Sequence, residues 1–144
     1  MAWETEQDKQ RERAIGAAIK QLWPTLALYD TPRFHPTDAH AIGKHGYAGD
    51  FEYKWYNQPS SEGFVFNYNK WQNLYLLDSV LHRPQAHRVA IRFDDGLLVM
   101  PVTALANKTP ALFTRRDTGE IDLVLKCSVG ELPANYWFDK VITL

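Results

Sequence analysis

Residues 49–56 read GDFEYKWY, and this stretch constrains the fold more than any other. Asp50, Glu52 and Lys54 alternate there with Phe51, Tyr53 and Trp55. Successive side chains on a strand point to opposite faces, so the rings share one face and the charges the other. Three large rings side by side need an apolar cover, which implies a sheet with its ring face packed on other elements. The charged face is then either wet or a site.

At 144 residues with 45% hydrophobic content, the chain is read as one domain able to bury a core of its own. The single cysteine, Cys127, rules out an internal disulfide and a multi-cysteine zinc site. There is no 18-residue apolar run, and MAWETEQDKQRERA lacks the apolar centre of a signal peptide. These features predict a cytoplasmic protein that does not enter a membrane. A net charge of −1 supplies no global basic field, so any phosphate binding must be local.

The spacing of Glu12, Ile15, Ile19 and Leu22 predicts a first helix from about Glu4 to Trp23, stopped by Pro24. LALYD reads as a strand, TPRFHPTDAHAIG as an edge or irregular extended segment, and KHGYAG as a glycine turn. After the GDFEYKWY strand and the loop NQPSSEG, a second helix is expected from about Asn69 to His82, with Asn69 as N-cap and Leu74, Leu77 and Leu81 on its inner face. Asp94-Asp95-Gly96 and Asp117-Thr118-Gly119 each separate two strand-like runs and predict hairpins. The order gives an α/β fold: a mixed central β-sheet flanked by helices, with a C-terminal β-hairpin region.

The tripeptide Glu52-Tyr53-Lys54 is uninformative alone, because chance places about one acidic residue two positions before a lysine in a chain of this composition. Its context is not. Asp38 lies before a glycine turn that would fold its segment back beside Glu52. Two converging carboxylates repel each other unless a cation lies between them, and oxygen ligands suit Mg²⁺ or Mn²⁺. Asp50, about 7 Å along the same face, is the other candidate partner. Lys54 could orient or help deprotonate a water attacking a phosphodiester.

A helix bearing Glu12, then Asp38, then Glu52-x-Lys54 on a strand, then a helix and a strand, resembles the PD-(D/E)XK nuclease superfamily in order and spacing over roughly residues 4–102. The resemblance implies a restriction-endonuclease-like core and a metal-dependent DNA endonuclease. Asp38 and Glu52 would bind Mg²⁺ or Mn²⁺, with Asp50 as the alternative ligand, and Lys54 would serve the attacking water. Glu12 is the acidic residue carried over from the first helix, with Asp8 as substitute, and Lys70 is preferred to Gln72 as the second helix's contribution. Here Pro36-Thr37-Asp38 has a residue between the proline and the aspartate, which departs from the usual pattern. Size and organisation resemble short bacteriophage nucleases acting in the host cytoplasm. The superfamily includes Holliday-junction resolvases, and a symmetric junction needs paired cuts, for which the resemblance implies a homodimer.

Lys70, Arg83 and Arg88 are the expected DNA contacts, with further basic groups at Arg11, Arg13, His82, His87, Arg115 and Arg116. His35, Asp38, His40 and His45 lack a dependable zinc spacing, and Cys127 reads as a buried thiol. A nuclease-like or unrelated α/β fold without chemistry, serving as a binding or structural module, is the alternative reading.

Overall fold

The computed structural model describes residues 5–32, 37–80 and 87–144. The first helix, α1 (Glu6–Leu22), starts at a capping box: the Thr5 hydroxyl accepts from the Asp8 N–H and the Asp8 carboxylate accepts from the Thr5 N–H. Asp8 is therefore occupied by the helix end. Ile15, Ala18 and Ile19 form the buried stripe, and the Trp23 N–H closes the last turn on the Ile19 carbonyl.

Six strands form the main sheet in the order β1-β2-β3-β5-β6-β9: β1 (Ala27–Asp30), β2 (Ala39–Gly43), β3 (Gly46–Trp55), β5 (Arg88–Phe93), β6 (Gly96–Pro101) and β9 (Trp137–Phe138). The segment expected to be an edge or irregular contributes β2, an interior strand paired on both sides, from Ala39 onward. Lys44-His45 is the turn into β3, and Gly46 follows it with φ 104°. A register shift opposite Ala41 and Ile42, with Gly49 at φ 111°, then bulges β3 just before Asp50.

The pairing of β3 with β5 is parallel, whereas the other pairs are antiparallel. A parallel pair needs a crossover, and here it contains β4 (Phe64–Asn67) and α2 (Tyr68–Val80). Strand β4 was not foreseen. It forms a second, three-stranded sheet, β4-β8-β7, with the predicted hairpin of β7 (Ala111–Thr114) and β8 (Ile121–Cys127). The Asp94-Asp95 turn joins β5 to β6 as expected, and Gly96 follows it beneath the Trp137 ring, where an added Cβ would lie 2.4 Å from Cζ2.

The expected face of α2 needs correction. Trp71, Leu74 and Asp78 are buried, Leu77 is exposed, and Leu81 lies outside the described residues. Aromatic packing sets this face: Trp71 stacks between Tyr68 and Tyr75, and its Nε1 donates to the Val102 carbonyl at 2.7 Å. The Lys70 N–H is capped by Asn67 Oδ1, so Asn67 replaces Asn69 as the capping side chain.

Two apolar clusters lie on opposite faces of the main sheet. Helix α1 packs with Phe51, Tyr53 and Trp55 on one side. Phe64, Phe66, Trp71 and Leu74, from β4 and α2, pack over Val89 and Ile91 on the other. The ring face of GDFEYKWY is therefore a core face, as its alternation predicts. Its charged face is covered too, and Asp50 and Glu52 are buried.

Candidate active site

The register of β2 and β3 pairs Ala39 with Phe51, so Asp38 comes next to Glu52. Two backbone contacts hold Asp38 in place: its N–H donates to the Phe51 carbonyl at 2.9 Å, and its Oδ2 accepts from the Tyr53 N–H at 2.7 Å. The carboxyl group also lies within hydrogen-bonding reach of those of Glu12 and Glu52. The structure thus brings Glu12, Asp38 and Glu52 together. Each arrives on a different element, α1, the entry to β2, and β3.

Burial pushes the Asp38 carboxyl above the usual carboxylate range, against the Tyr53 N–H and Lys70. Burial also raises Glu52, helped by the Asp38 charge and opposed by Lys70 and Lys54, to about 7. Glu52 Oε1 is ion-paired with the Lys70 ammonium, whereas Oε2 is buried without a hydrogen-bond donor. A carboxylate oxygen in that position costs free energy unless it carries a proton or meets a cation. The first turn of α2 thus aims Lys70 at the strand that carries Glu52.

Lys54 projects from the same face. Its Nζ donates to the Val65 carbonyl on β4 at 2.9 Å, beside the Tyr56 hydroxyl at 3.4 Å and 5.1 Å from the Phe66 ring centroid. Burial lowers its pKa to about 8, with Lys70 and Arg115 adding repulsion and Glu52 opposing. The amine therefore loses its proton far more readily than a surface lysine.

Asp50 goes elsewhere. Thr37 Oγ1 donates to its Oδ2 at 2.9 Å, while Tyr47 Oη and His40 Nδ1 meet its Oδ1, each at 2.6 Å. Burial raises this carboxyl, but the bonds from Tyr47, His40 and Thr37 outweigh it and hold the pKa below the usual value. His87 Nε2 lies 3.9 Å from Oδ2, and the other ring nitrogen of His87 bonds to buried Asp78. Asp38, rather than Asp50, stands beside Glu52.

Among the expected DNA contacts, Arg83 lies outside the described residues and Arg88 is half-buried with Asp78 as a charge neighbour. His40 is engaged by Asp50, His45 is exposed in the β2–β3 turn, and His35 lies outside the described residues. The Tyr53 N–H on Asp38 and the Val65 carbonyl under Lys54 were not anticipated. The alternation of Phe64 and Phe66 in FVFN was the available signal for the strand that supplies Val65.

No family model and no curated protein sequence matches the chain. A solved structure does: Hjc, a Holliday junction resolvase from the archaeal hyperthermophile Archaeoglobus fulgidus, aligns with a TM-score of 0.52 at 14% identity, covering 82% of this chain and 90% of that one. The chain has the restriction-endonuclease-like fold. The likeness to that resolvase lies in the arrangement of helices and sheet. At this identity it is a likeness of fold, and the chemistry must be argued from the side chains.

The residues suit a hard divalent cation in donor type. Asp38, Glu52 and Glu12 offer only oxygen, and Glu52 Oε2 is a buried acceptor without a donor. Among the described residues, no three or more His, Cys, Asp and Glu side chains form a ready-made metal cage. That distinction matters little for Mg²⁺, which is commonly held by one or two carboxylates, with water and phosphate completing its shell.

Proposed function

We propose that this protein is a metal-dependent DNA endonuclease that hydrolyses phosphodiesters. The observation that carries the reading is the carboxylate pair of half-buried Asp38 and buried Glu52, with Glu52 Oε2 lacking a donor, Lys70 on Oε1, and Lys54 two residues along the same strand face. Asp38 and Glu52 would hold Mg²⁺ or Mn²⁺, with Glu12 supporting Asp38. When bound, the cation supplies Lewis-acid stabilisation of the charge that develops on the phosphate. Lys54, whose pKa burial lowers to about 8, orients the attacking water and in its neutral form accepts the proton on Nζ. Lys70 is 44% exposed and can leave Glu52 to meet a phosphate oxygen.

The substrate named for the structural neighbour is a Holliday junction, so branched DNA is the first substrate to test. The same proposal includes a phage-type enzyme in the host cytoplasm, cutting as a homodimer with one site for each strand. Among the described residues, no helix is long and apolar enough to cross a membrane.

The test is Mg²⁺ or Mn²⁺ titration followed by melting temperature, alongside cleavage of branched, supercoiled and single-stranded DNA. Wild-type protein should be stabilised by the metal and should cut. Glu52→Gln should lose both responses while its metal-free melting temperature stays within a few degrees, and Lys54→Ala should lose cleavage but keep the metal shift. Unchanged DNA in all three assays would sink the proposal. A second reading rests on Lys70: its ammonium already neutralises Glu52, so the fold could serve as a binding module without a metal. A melting temperature indifferent to both cations would favour that reading.

A further inference from the structure

A cleft of about 910 Å³ opens beside the second sheet, and neither Asp38 nor Glu52 lines it. Its walls include Tyr56 and Val65, whose hydroxyl and carbonyl are the polar neighbours of the Lys54 amine. One layer of side chains therefore separates the cleft from the edge of the candidate active site. The β7–β8 hairpin, whose Lys126 pairs with Val65 in the same sheet, adds Phe113, Arg115, Arg116 and Lys126 to the lining.

The charges in the cleft are not all compensated. Glu131 is tied to Lys108, and Asp117 is paired with Arg115. Arg116 and Lys126 are exposed and, among the described residues, have no ion pair, leaving two cations against Glu62. Lys126 Nζ lies 5.9 Å from the Phe113 ring centroid, so a positive charge and an aromatic surface are adjacent. Cations spaced beside rings bind a flexible phosphate chain whose bases are free to stack. A duplex keeps its bases stacked internally and would use only the cations.

We infer that this cleft seats an unpaired DNA strand next to the cutting site, with Arg116 and Lys126 on its phosphates and Phe113 against a base. The inference rests on the nuclease reading for its choice of nucleic acid, and it narrows the substrate to DNA with a single-stranded segment at the cut.

Binding can be measured separately from cleavage, using the full chain in EDTA with a fluorescent oligo-dT strand of about twelve nucleotides and a blunt duplex of equal length. Arg116→Ala and Lys126→Ala should each lower the salt slope for the single strand by about 0.7, and Phe113→Ala should weaken binding by roughly 5- to 100-fold. Phe113→Trp should restore binding, and the duplex, which uses only the cations, should be weakened by Arg116→Ala and Lys126→Ala but left unchanged by Phe113→Ala. Single-strand affinity and salt slope unchanged in all three alanine variants would overturn the inference, as would an equal loss for the duplex in Phe113→Ala. If the wild type cuts DNA while these variants bind and cut normally, the cleft assignment alone fails. If the variants lose the strand but no condition yields cleavage, the cleft assignment stands and the nuclease reading fails.

Discussion

Asp50 and Glu52 lie two residues apart on the same face of β3 and are almost equally buried, with 5% and 6% of their surface exposed. Their acidities nevertheless move in opposite directions, Asp50 below the usual range and Glu52 up to about 7. Burial disfavours the charged form at both and weighs more heavily on Glu52, so it accounts for part of the difference. The supply of donors accounts for the rest. Asp50 is met by Thr37, His40 and Tyr47, whereas Glu52 has the Lys70 ammonium on one oxygen, no donor on the other, and Asp38 as a charged neighbour. Asp50 is a completed structural centre and Glu52 an incomplete one. Incompleteness at a buried carboxylate is what a site that binds a cation requires.

Removing each carboxylate in turn should separate Asp50 from Glu52 most widely. Asp50→Ala removes the carboxylate that the buried Thr37 hydroxyl, the partly exposed His40 and Tyr47, and the neighbouring His87 all face, so a loss of about 3 kcal/mol is expected in urea unfolding. Glu52→Gln removes the repulsion with Asp38 and should leave metal-free stability close to wild type at pH 7. Equal losses in the two variants would mean that Glu52 is as structural as Asp50.

The next effect is the pH dependence of stability. Folded Glu52 keeps its proton up to about 7, whereas an unfolded glutamate releases it near 4.5. Between these values the folded state binds more protons, so the stability contributed by Glu52 is fully present below about pH 4.5 and is lost as pH rises through about 7. The shift corresponds to about 3 kcal/mol. Asp50 has the opposite sign: its contribution is present above the unfolded value of 3.8 and is lost as pH falls through its lower folded value. Urea unfolding from pH 4 to 8 should show the neutral-side fall, and Glu52→Gln should flatten it. Under the nuclease reading, saturating Mg²⁺ should flatten it too.

The features legible in the sequence were those set by local chemistry. Asp94-Asp95-Gly96 and Asp117-Thr118-Gly119 specify their own turns, and the hairpin ending at Gly46 brought Asp38 to Glu52 through register alone. The charged face of GDFEYKWY was harder to read, because what covers it arrives from far along the chain. Phe64 and Phe66 belong to a four-residue strand that runs directly into a helix, and their sheet partners lie beyond residue 120. Leu77 was misplaced because Trp71 and Tyr75 dictate the packing of α2. The saturation of Asp50 was hidden for a similar reason. Its donors come from β2, the segment before it, and the start of β3, while His87 adds a contact from the entry to β5.

The finest test removes one donor at a time. Thr37→Val keeps the side-chain shape but deletes the hydroxyl that donates to Asp50 Oδ2, and Thr37 is 3% exposed, so water cannot readily replace it. A loss of about 2 kcal/mol is expected, since hydrogen bonds to a charged acceptor are worth more than neutral ones. Tyr47→Phe deletes a donor to Oδ1, but Tyr47 is 37% exposed and solvent can take its place, so the loss should be below about 1 kcal/mol. Both changes should also raise the pKa of Asp50, moving the acid limb of the stability curve to higher pH. Thr37 adjoins Asp38, which makes Thr37→Val informative about the neighbouring site as well. If its metal-induced melting shift falls while that of Tyr47→Phe does not, Asp50 holds the Asp38 segment in place through the Thr37 hydroxyl. If both variants keep the full shift, the two carboxylate centres are independent despite lying on one strand.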